Sequence, residues 1–431
     1  MSVSAAEQSI LDLYHAALTA VEPAAAIRAH LRRERRDLYI DGRQIPVRDR
    51  LLVVGAGKAA VRMAWGVEAI CGDLIDAGLV ITKDGCATGE LPSRVAVKEA
   101  SHPIPDRRGA EATRKLLALV DEAGPDDVVL AIISGGGSAL LEAPRPPVTL
   151  DDMARVTDLL LRAGAPIQDL NAVRIPLSLI KGGGLRRAAG KATVVTLILS
   201  DVLGNDPRII ASGPTVPGSA TGAEALDVLR RYDVLAMSPM AIRDVLSDAS
   251  RPDDMDVSGD ALVIVADNEA AIAAAERRAH ERGYSTSVAW RARSGEASML
   301  GRDWVDLLPH VPNDVDVVVG GGEATVTVRG DGVGGRNTEF ALAAAIALAE
   351  ANMNDWLVAS LATDGDDGMI AAAGAIASAV TIERAEALGI DPRDALARND
   401  SGGFFEAVGG FVRPGPTGTN VNDLYFAVRQ R

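Results

Sequence analysis

Residues 51–60 read LLVVGAGKAA, an aliphatic run that ends in a glycine-rich turn. Such a run is typical of a strand buried on both faces of a parallel sheet, and the turn then opens a helix. Similar runs follow at residues 127–134, DVVLAIIS, and 193–201, TVVTLILSD, with helical segments between them. This alternation predicts βαβ units and therefore an α/β fold.

A second series of strand-like runs begins after residue 260, with ALVIVADN, YSTSVAW, VDVVVGG, LVASLATDG and DLYFAV. The short alternating run ATVTVRG, residues 324–330, is predicted to be a hairpin or antiparallel member. A chain of 431 residues exceeds what one hydrophobic core usually serves. The polar stretch Ser247–Asp260 is the best linker. We therefore predict two domains, 1–246 and 247–431.

Composition excludes several classes of function. The formal net charge of −15 is spread along the chain, which argues against nucleic acid or an anionic membrane as partner. No apolar run reaches the roughly 18 to 20 residues of a membrane span. The start of the chain lacks a signal-peptide pattern, and Cys71 and Cys86 form no CxxC pair. We expect a cytoplasmic protein without a zinc or redox centre, acting on a small molecule.

The turn that ends residues 51–60 supplies the first candidate site. Gly55, Gly57 and Ala60 complete a GxGxxA dinucleotide fingerprint, which is weak evidence by itself. Backbone amides at such a helix start favour an anion. Lys58 adds a cation, which suits the charge that develops on a transferred phosphoryl group. The alternative interpretation is that Lys58 is a solvated lysine in the first turn of the helix.

Two more glycine-rich turns could bind anions. Ser134-Gly135-Gly136-Gly137-Ser138 follows a strand, so its amides could surround phosphate oxygens, or the glycines could simply allow tight packing. Asn171 and Arg174 precede Lys181-Gly182-Gly183-Gly184, which brings two cations near one turn. We predict that they bind a substrate carboxylate or a phosphate, with solvated surface charge as the alternative.

Carboxylates at strand ends are candidate metal ligands or bases. Asp201 and Asp364 each follow an aliphatic run, and Mg²⁺ is typically held by one or two carboxylates plus substrate phosphates. Asp366 and Asp367 are expected to be turn residues, because Asp and Gly favour turns for local reasons.

The second half of the chain carries another set of polar groups. Arg336 follows two glycines and opens an apolar helix, where an arginine can clamp a phosphate. The histidines form no catalytic triad with Ser138, but His102, in the stretch SHPIPD, is an active-site candidate. Other predicted ligand-binding residues of this half are Glu323, Asn337, Thr417 and Asn420.

The ordered motifs resemble the class II glycerate 2-kinase family, some of whose members are named hydroxypyruvate reductase of tartrate degradation. They are VVGAGKA, SHPIPD, SGGGSAL, NAVR, IKGGGL, LSDV, ASGPT, GGEATV, GGRNTEF, TDG and GPTGTN, and they span nearly the whole chain. The resemblance implies two three-layer α/β/α domains with the active site in the cleft between them. The N-terminal domain is a Rossmann-like parallel sheet, and the C-terminal one is a mixed sheet containing the MOFRL region, about residues 315–428.

The reaction that this resemblance implies is phosphorylation of D-glycerate to 2-phosphoglycerate with ATP and Mg²⁺. The family's catalytic lysine corresponds to Lys58 and its important arginine to Arg336. Two stretches depart from the family pattern: Ile175-Pro176 replace a Lys-His pair, and Ile370-Ala371 lie where the family has Thr and Asp. These apolar replacements leave open a different hydroxy acid as acceptor.

Two other functions stay open from sequence. One is NAD(P)H-dependent reduction of hydroxypyruvate, which the GxGxxA fingerprint suggests but which needs a carboxylate after the second strand, where Lys83 stands. The other is a catalytically weakened homologue that binds ligand without turnover. The oligomeric state is also open, with a homodimer as one option.

Overall fold

The computed structural model describes residues 4–218, 220–248 and 255–430. The chain forms two compact units. The continuous unit is Pro23–Val265, and the discontinuous unit consists of the described residues on either side of it. The predicted α/β class is confirmed, because helices accompany both a parallel and a mixed sheet.

The helices and strands alternate along most of the chain. In chain order the helices are α1 Ala5–Ala20, α2 Pro23–His30, α3 Ala60–Cys71, α4 Arg107–Asp121, α5 Gly137–Leu140, α6 Leu150–Arg162, α7 Ile167–Arg174, α8 Gly184–Ala188, α9 Gly222–Arg231, α10 Met240–Asp248, α11 Asn268–Glu281, α12 Ala297–Leu307, α13 Arg336–Glu350, α14 Ala379–Ala387, α15 Pro392–Ala397 and α16 Ser401–Val408. The strands are β1 Leu31–Glu34, β2 Asp37–Ile40, β3 Arg43–Pro46, β4 Leu51–Ala56, β5 Ile75–Lys83, β6 Ala96–Ala100, β7 Val128–Ile133, β8 Thr193–Leu199, β9 Ala261–Ala266, β10 Thr286–Glu296, β11 Val317–Thr325, β12 Trp356–Ala362, β13 Gly374–Ala377, β14 Phe411–Val412 and β15 Asp423–Arg429. Short 3-10 helices lie at Gly72–Leu74, Ile210–Ser212, Leu235–Met237 and Leu308–His310.

The main sheet of the continuous unit has the strand order β6-β5-β4-β7-β8-β9. From β4 the chain adds β5 and β6 on one side, then returns to add β7 and β8 on the other, all as parallel neighbours. The order therefore reverses between β4 and β7. Ligands of open α/β sheets bind beyond the carboxyl ends of the strands at such a switch point. The small antiparallel sheet β1-β2-β3 lies outside this arrangement.

The discontinuous unit contains a mixed sheet in the order β10-β11-β15-β12-β13-β14. Only β10 and β11 pair in parallel, and the other neighbours are antiparallel. The residues of VDVVVGG and the start of ATVTVRG form the single strand β11, and Ala324 and Thr325 pair in parallel with β10. The hairpin or antiparallel member predicted for ATVTVRG is therefore wrong. Helix α13 is buried from Asn337 to Leu348, which fits its run of alanine and leucine.

The two units do not divide at residue 246. Strand β9 lies beside β8 in the parallel sheet, and the Asp260 carboxylate just before it accepts hydrogen bonds from Arg186 Nε (2.5 Å) and Val194 N (2.9 Å). The chain up to Val265 thus belongs to the continuous unit. Part of the predicted linker, residues 249–254, lies outside the described residues.

Helix α1 belongs to the discontinuous unit and not to the predicted N-terminal domain. Its apolar face packs on α11, and Asp12 accepts hydrogen bonds from Arg278 and Arg282. The buried hydroxyl of Tyr14 donates to the carbonyl of Ala362, at 2.6 Å. These contacts outweigh sequence proximity because they bury the Ile10, Leu13, Tyr14 and Ala17 face of the helix.

Among the described residues, no single helix has the length and apolar composition to cross a bilayer. Helices α1 and α2 have that length and composition only when they are counted together across the bend between them.

We expect Tyr14→Phe to lower the free energy of unfolding by about 0.5–1.5 kcal/mol, because the buried carbonyl of Ala362 loses its hydroxyl donor. Denaturant unfolding followed by circular dichroism measures this change. The matched control is Tyr39→Phe on β2, a half-buried tyrosine that stacks with Arg32 and whose hydroxyl makes no hydrogen bond to the described residues. Equal losses in the two variants would contradict the structural role of the Tyr14 hydroxyl.

Candidate functional site

The turns after β4 and β7 meet at the switch point of the parallel sheet. The two strands run side by side in register, from Leu51 opposite Val128 to Ala56 opposite Ile133. Beyond them, Ser134 N donates to Ala56 O at 3.0 Å and Lys58 N donates to Gly135 O at 2.9 Å. The two predicted glycine-rich turns therefore form one continuous structure.

The first turn has no open amides at the positions where the sequence predicts an anion site. Gly57 N donates to Ile81 O, Lys58 N to Gly135 O, and Ala60 N to Gly57 O. Ala59 N donates to the buried Ser134 hydroxyl at 3.1 Å. The turn is thus closed by the protein itself. Ser134, predicted to bind ligand, instead accepts one of these amides.

Close packing explains the two glycines of the fingerprint. A Cβ on Gly55 would clash with the backbone of Ile132, and one on Gly57 would clash with Ser134. Gly57 also has a φ of +139°, a conformation that favours glycine. Gly55 and Gly57 are therefore required for the approach of β4 to β7, and their predicted role in holding a ligand is not needed to explain them.

The second turn keeps open amides. Within the described part of the chain, Gly135 N and Gly136 N donate to no partner. Gly136 has a φ of +83° and directly precedes α5. Successive amides in such a left-handed turn form a concave anion site. The glycine nest, defined here as Gly135 and Gly136, is the candidate phosphate site of the continuous unit.

Three predicted side chains surround the glycine nest. A Cβ on Gly136 would lie 3.1 Å from the His102 ring and 3.4 Å from Lys58 Cγ. A Cβ on Gly135 would clash with the Asp201 carboxylate. Lys58 follows β4, His102 follows β6 and Asp201 follows β8. A cation, an imidazole and a carboxylate thus converge on the two free amides.

The surroundings of His102 favour its neutral form. Burial lowers the pKa of its imidazole below the usual 6.5, and the positive charges of Lys58 and Lys83 lower it further. The ring makes no hydrogen bond to the described residues. Neutral imidazole can accept a hydrogen bond or a proton from a ligand hydroxyl.

Ser138 pairs with a serine that sequence reasoning missed. The Ser138 and Ser212 hydroxyl oxygens lie 2.7 Å apart. Ala211 and Ser212 both adopt left-handed φ values, 50° and 61°, which non-glycine residues rarely do and which cluster at functional sites. Glycine at position 137 allows this segment to approach Ala211 closely, because a Cβ at that position would lie 2.7 Å from the Ala211 Cβ. The motif ASGPT was the available signal for Ser212.

The side chain of Lys181 is completely buried, which argues against a direct contact with a ligand. Its ammonium donates to Ser138 O (2.7 Å) and Leu141 O (2.9 Å), and it lies 3.3 Å from the Glu142 carboxylate. All three donors of the ammonium are thus used inside the protein. The predicted role of Lys181 as a ligand-binding cation is therefore wrong for this structure.

Arg174 keeps an opening to solvent, with 16% of its side chain exposed. Its contacts to Ser138 O and Glu142 are long, at 3.5 Å. Asn171 lies one helical turn earlier on α7. The first departure from the family pattern has a packing role, since a Cβ on Gly182 would lie 2.5 Å from Ile175 Cγ2.

In the discontinuous unit, Arg336 is held by a carboxylate that the sequence analysis did not identify. Its Nε and NH2 donate to the two oxygens of the buried Asp423, at 2.7 and 2.8 Å. Burial by itself would lower the pKa of Arg336, but the charge of Asp423 outweighs it and raises the pKa above its usual value. The arginine stays charged, with 27% of its side chain exposed.

The start of α13 is already capped by an acidic side chain. Asp367 accepts hydrogen bonds from Asn337 N and Thr338 N, both at 2.8 Å. The anion site predicted at this helix start is thus filled by Asp367, which confirms the structural role expected for that residue. Asn337 is fully buried, with its amide group bonded to Asp423 and Ser360. It is a structural residue and not a ligand contact.

Strand register brings Glu323 and Asp364 to the same end of the mixed sheet as Asp423, which holds Arg336. Asp423 pairs with Gly322 of β11 on one side and with Ala362 of β12 on the other. Glu323 and Asp364 follow those two positions within two residues. Glu323 thus lies next to the Gly322 position of β11, and the charge of Asp364 helps to raise the pKa of Arg336.

The loop GPTGTN packs against the residues on either side of Asp364. Thr417 Oγ1 donates to Thr363 O at 2.6 Å, and the Asn420 side chain accepts Asn422 N at 3.2 Å. A Cβ on Gly365 would clash with Gly415. Thr417 thus fixes the loop that carries Asp364, whereas the Asn420 bond is local to its own segment.

The described residues contain no group of three or more His, Cys, Asp or Glu side chains suited to a metal ion. An all-protein cage is therefore absent from this part of the chain. A Mg²⁺ ion that arrives with a nucleotide needs only one or two carboxylates. Asp201 and Asp364 fit that requirement by their chemistry.

Comparisons with known proteins identify the family. Residues 9–247 match the model of a domain of unknown function, DUF4147, and residues 316–423 match the MOFRL family. A protein of Agrobacterium vitis, provisionally named a hydroxypyruvate reductase, is 42% identical, with 88% of this chain and 86% of that protein covered. A D-glycerate 2-kinase of Thermotoga maritima is 37% identical, with 87% and 90% covered.

The crystal structure of a Thermotoga maritima glycerate kinase superposes with a TM-score of 0.87 at 33% identity, covering 98% of this chain and 99% of that one. The likeness therefore extends over both units of the chain. One family model spans more than half of the chain, and the relatives exceed 30% identity over most of it. The chain belongs to the class II glycerate 2-kinase family, with its DUF4147 and MOFRL regions.

Proposed function

We propose that this protein transfers the γ-phosphoryl group of ATP to O2 of D-glycerate and forms 2-phosphoglycerate. The observation that carries the proposal is the group of Lys58, His102 and Asp201 around the free amides of the glycine nest. Amides and a cation suit a group that carries negative charge throughout its transfer. The names of the relatives support the same reaction.

In this mechanism the glycine nest and Lys58 bind the transferred phosphoryl group. In the discontinuous unit, Arg336, oriented by Asp423, is proposed to neutralise charge on a phosphate of the nucleotide, since a guanidinium held along one edge keeps its remaining N–H donors directed. Neutral His102 accepts a hydrogen bond from the acceptor hydroxyl and receives its proton as the new P–O bond forms. Arg174 binds the acceptor carboxylate.

Mg²⁺ is proposed to accompany ATP, and Asp201 and Asp364, one in each unit, are the separate candidates for its protein ligands. The ion would neutralise phosphate charge and draw the phosphates into one geometry. Asp201 touches the glycine nest, so its carboxylate is close to any phosphate bound there.

The structure favours phosphoryl transfer over NAD(P)H-dependent reduction. A dinucleotide site needs open amides in the first glycine turn and a carboxylate at the end of the second strand. Here the first turn is closed by Ser134 and Gly135. Strand β5 ends at Lys83, and the next residue, Asp84, is bound bidentately by Arg108.

The reaction is tested by incubating purified protein with ATP, Mg²⁺ and D-glycerate, in parallel with hydroxypyruvate and NADH or NADPH. ADP release that depends on D-glycerate, with 2-phosphoglycerate as product, is the expected result. Oxidation of the reduced cofactor without ADP release would refute the proposal. A panel of other small hydroxy acids in the same assay finds the acceptor if D-glycerate is not the preferred one.

Lys58→Ala should lower turnover by about 10²-fold or more, because the transition state loses a cation next to the transferred group. The measurement is kcat from ADP release, with circular dichroism to verify folding. Lys191→Ala removes an exposed lysine of the same unit and should leave kcat unchanged. A Lys58 variant with the kcat of the parent would remove this residue from the mechanism.

Asp423→Asn should lower kcat by about 10-fold or more, because Arg336 loses the charge that fixes its guanidinium. We also expect a loss of about 1–3 kcal/mol in the free energy of unfolding, because the buried network loses a charged acceptor. Steady-state kinetics and denaturant unfolding measure the two effects. The control is Asp331→Asn, whose carboxyl is 91% exposed. Unchanged kcat in Asp423→Asn would show that the pair does not serve catalysis.

His102 should titrate below pH 6.5, because burial and then the charges of Lys58 and Lys83 disfavour its protonated form. The unfolded state binds this proton more readily than the folded state does. The contribution of His102 to the free energy of unfolding is therefore lost as the pH falls through 6.5 and below. NMR titration of the histidine ring signals, assigned by loss of one signal in His102→Asn, measures the midpoint. A midpoint above 6.5 would contradict the neutral state required of the base.

A further inference from the structure

Lys181 is the most unusual buried charge of the continuous unit. Its side chain is fully buried, and it binds the carbonyls of Ser138 and Leu141. These carbonyls belong to α5 and to the residue that follows it, so the ammonium caps the C-terminal end of that helix. A helix of four residues, Gly137–Leu140, has few internal hydrogen bonds of its own. Its position therefore depends on contacts such as these.

Glu142 balances this charge incompletely. One of its oxygens lies 3.3 Å from Lys181 and 3.5 Å from Arg174. The other, Oε1, is buried and has no hydrogen-bond partner among the described residues. One carboxylate thus serves two cations, and the cluster has a net positive charge beneath the turn that carries the glycine nest.

The buried charge is costly for the fold. Burial lowers the pKa of Lys181 to about 8, even though Glu142 acts in the opposite direction. Because the unfolded pKa is higher, the folded state holds this proton less firmly, and the penalty is present at pH 7 and is relieved as the pH rises above 8. Apolar residues of similar volume often replace such buried charges without loss of stability. Stability alone does not explain a lysine here.

The helix that Lys181 caps begins directly after the glycine nest. Gly136 is the N-terminal cap of α5, and the amides of Ala139, Leu140 and Leu141 donate back to the carbonyls of Gly136 and Gly137. A shift of α5 would therefore move the free amides of Gly135 and Gly136. A displacement of about 1 Å in such a group can lower a rate by about 10²-fold.

We propose that Lys181, paired with Glu142, is a positioning residue that fixes α5 and thereby aligns the glycine nest with the transferred phosphoryl group. It touches neither substrate, and it acts through the carbonyls of Ser138 and Leu141. This inference rests on the proposed function for its effect on catalysis, whereas its effect on the order of α5 is independent of the reaction.

The test compares Lys181→Met, Lys181→Arg and Glu142→Gln with the parent and with the control Lys191→Met, a change of the same type at an exposed site. Lys181→Met should lower kcat by about 10-fold to 100-fold. The KM for the acceptor should stay within about twofold, because the acceptor carboxylate contacts Arg174 and not Lys181. The melting temperature should be equal to that of the parent or higher, which a purely structural role would not produce.

Lys181→Arg should restore part of kcat, because a guanidinium can again donate to the two carbonyls. Glu142→Gln should lower kcat as well, since Lys181 without its counter-charge loses its proton more easily. This variant keeps the size of the side chain and serves as the second test if Lys181→Met does not fold. Parent kcat in a folded Lys181→Met or Glu142→Gln, or a lower melting temperature with unchanged kcat, would overturn the proposal.

Hydrogen exchange followed by mass spectrometry supplies a readout without activity. The amides of Ala139, Leu140 and Leu141 should exchange at least about 10-fold faster in Lys181→Met than in the parent, because their helix loses its cap. Unchanged exchange there would refute the positioning role. If the parent shows no kinase activity, the proposed function fails, and this exchange measurement still decides whether Lys181 orders α5.

Discussion

The contact between β4 and β7 is the constraint on which the rest of the continuous unit depends. Their backbones approach so closely that Gly55 and Gly57 have no room for a side chain against Ile132 and Ser134. This approach consumes the amides of the first glycine turn and leaves those of the second one open. The same contact brings Lys58 to the side of Gly136. One packing requirement therefore leaves the amides of Gly135 and Gly136 without protein partners and places Lys58 beside them.

Each unit has an ion pair with a buried partner next to its candidate site. The buried partner is an anion in one unit and a cation in the other. In the discontinuous unit the buried partner is the carboxylate of Asp423, and the partly exposed partner is Arg336. In the continuous unit the buried cation is Lys181, whose donors are all directed into the protein. Buried ion pairs contribute little net stability, because desolvation offsets the attraction. Their value here is orientation, of a guanidinium in one unit and of a short helix in the other.

Each of the two departures from the family pattern packs an isoleucine against a glycine. Ile175 lies against Gly182 in the turn that follows Lys181, and Ile370 lies against Gly402. Both side chains fill space at a position where a Cβ would be crowded. Neither change touches Lys58, Asp201, Arg336 or Asp423. The departures therefore alter local packing and leave the groups proposed for phosphoryl transfer intact.

The sequence by itself determined the α/β class and the parallel sheet around residues 51–60, because strand patterns and glycine turns are local signals. It also singled out Lys58 and Arg336, whose roles remain predictions. It also indicated that Asp367 is structural. Only the tertiary structure decided which amides are open, since their partners come from strands far apart in the chain. It alone revealed Asp423, Glu142 and Ser212, and it moved Lys181 from ligand contact to helix cap. Helix α1 joined the discontinuous unit for the same reason: burial and hydrogen bonding between distant segments outweigh their separation along the chain.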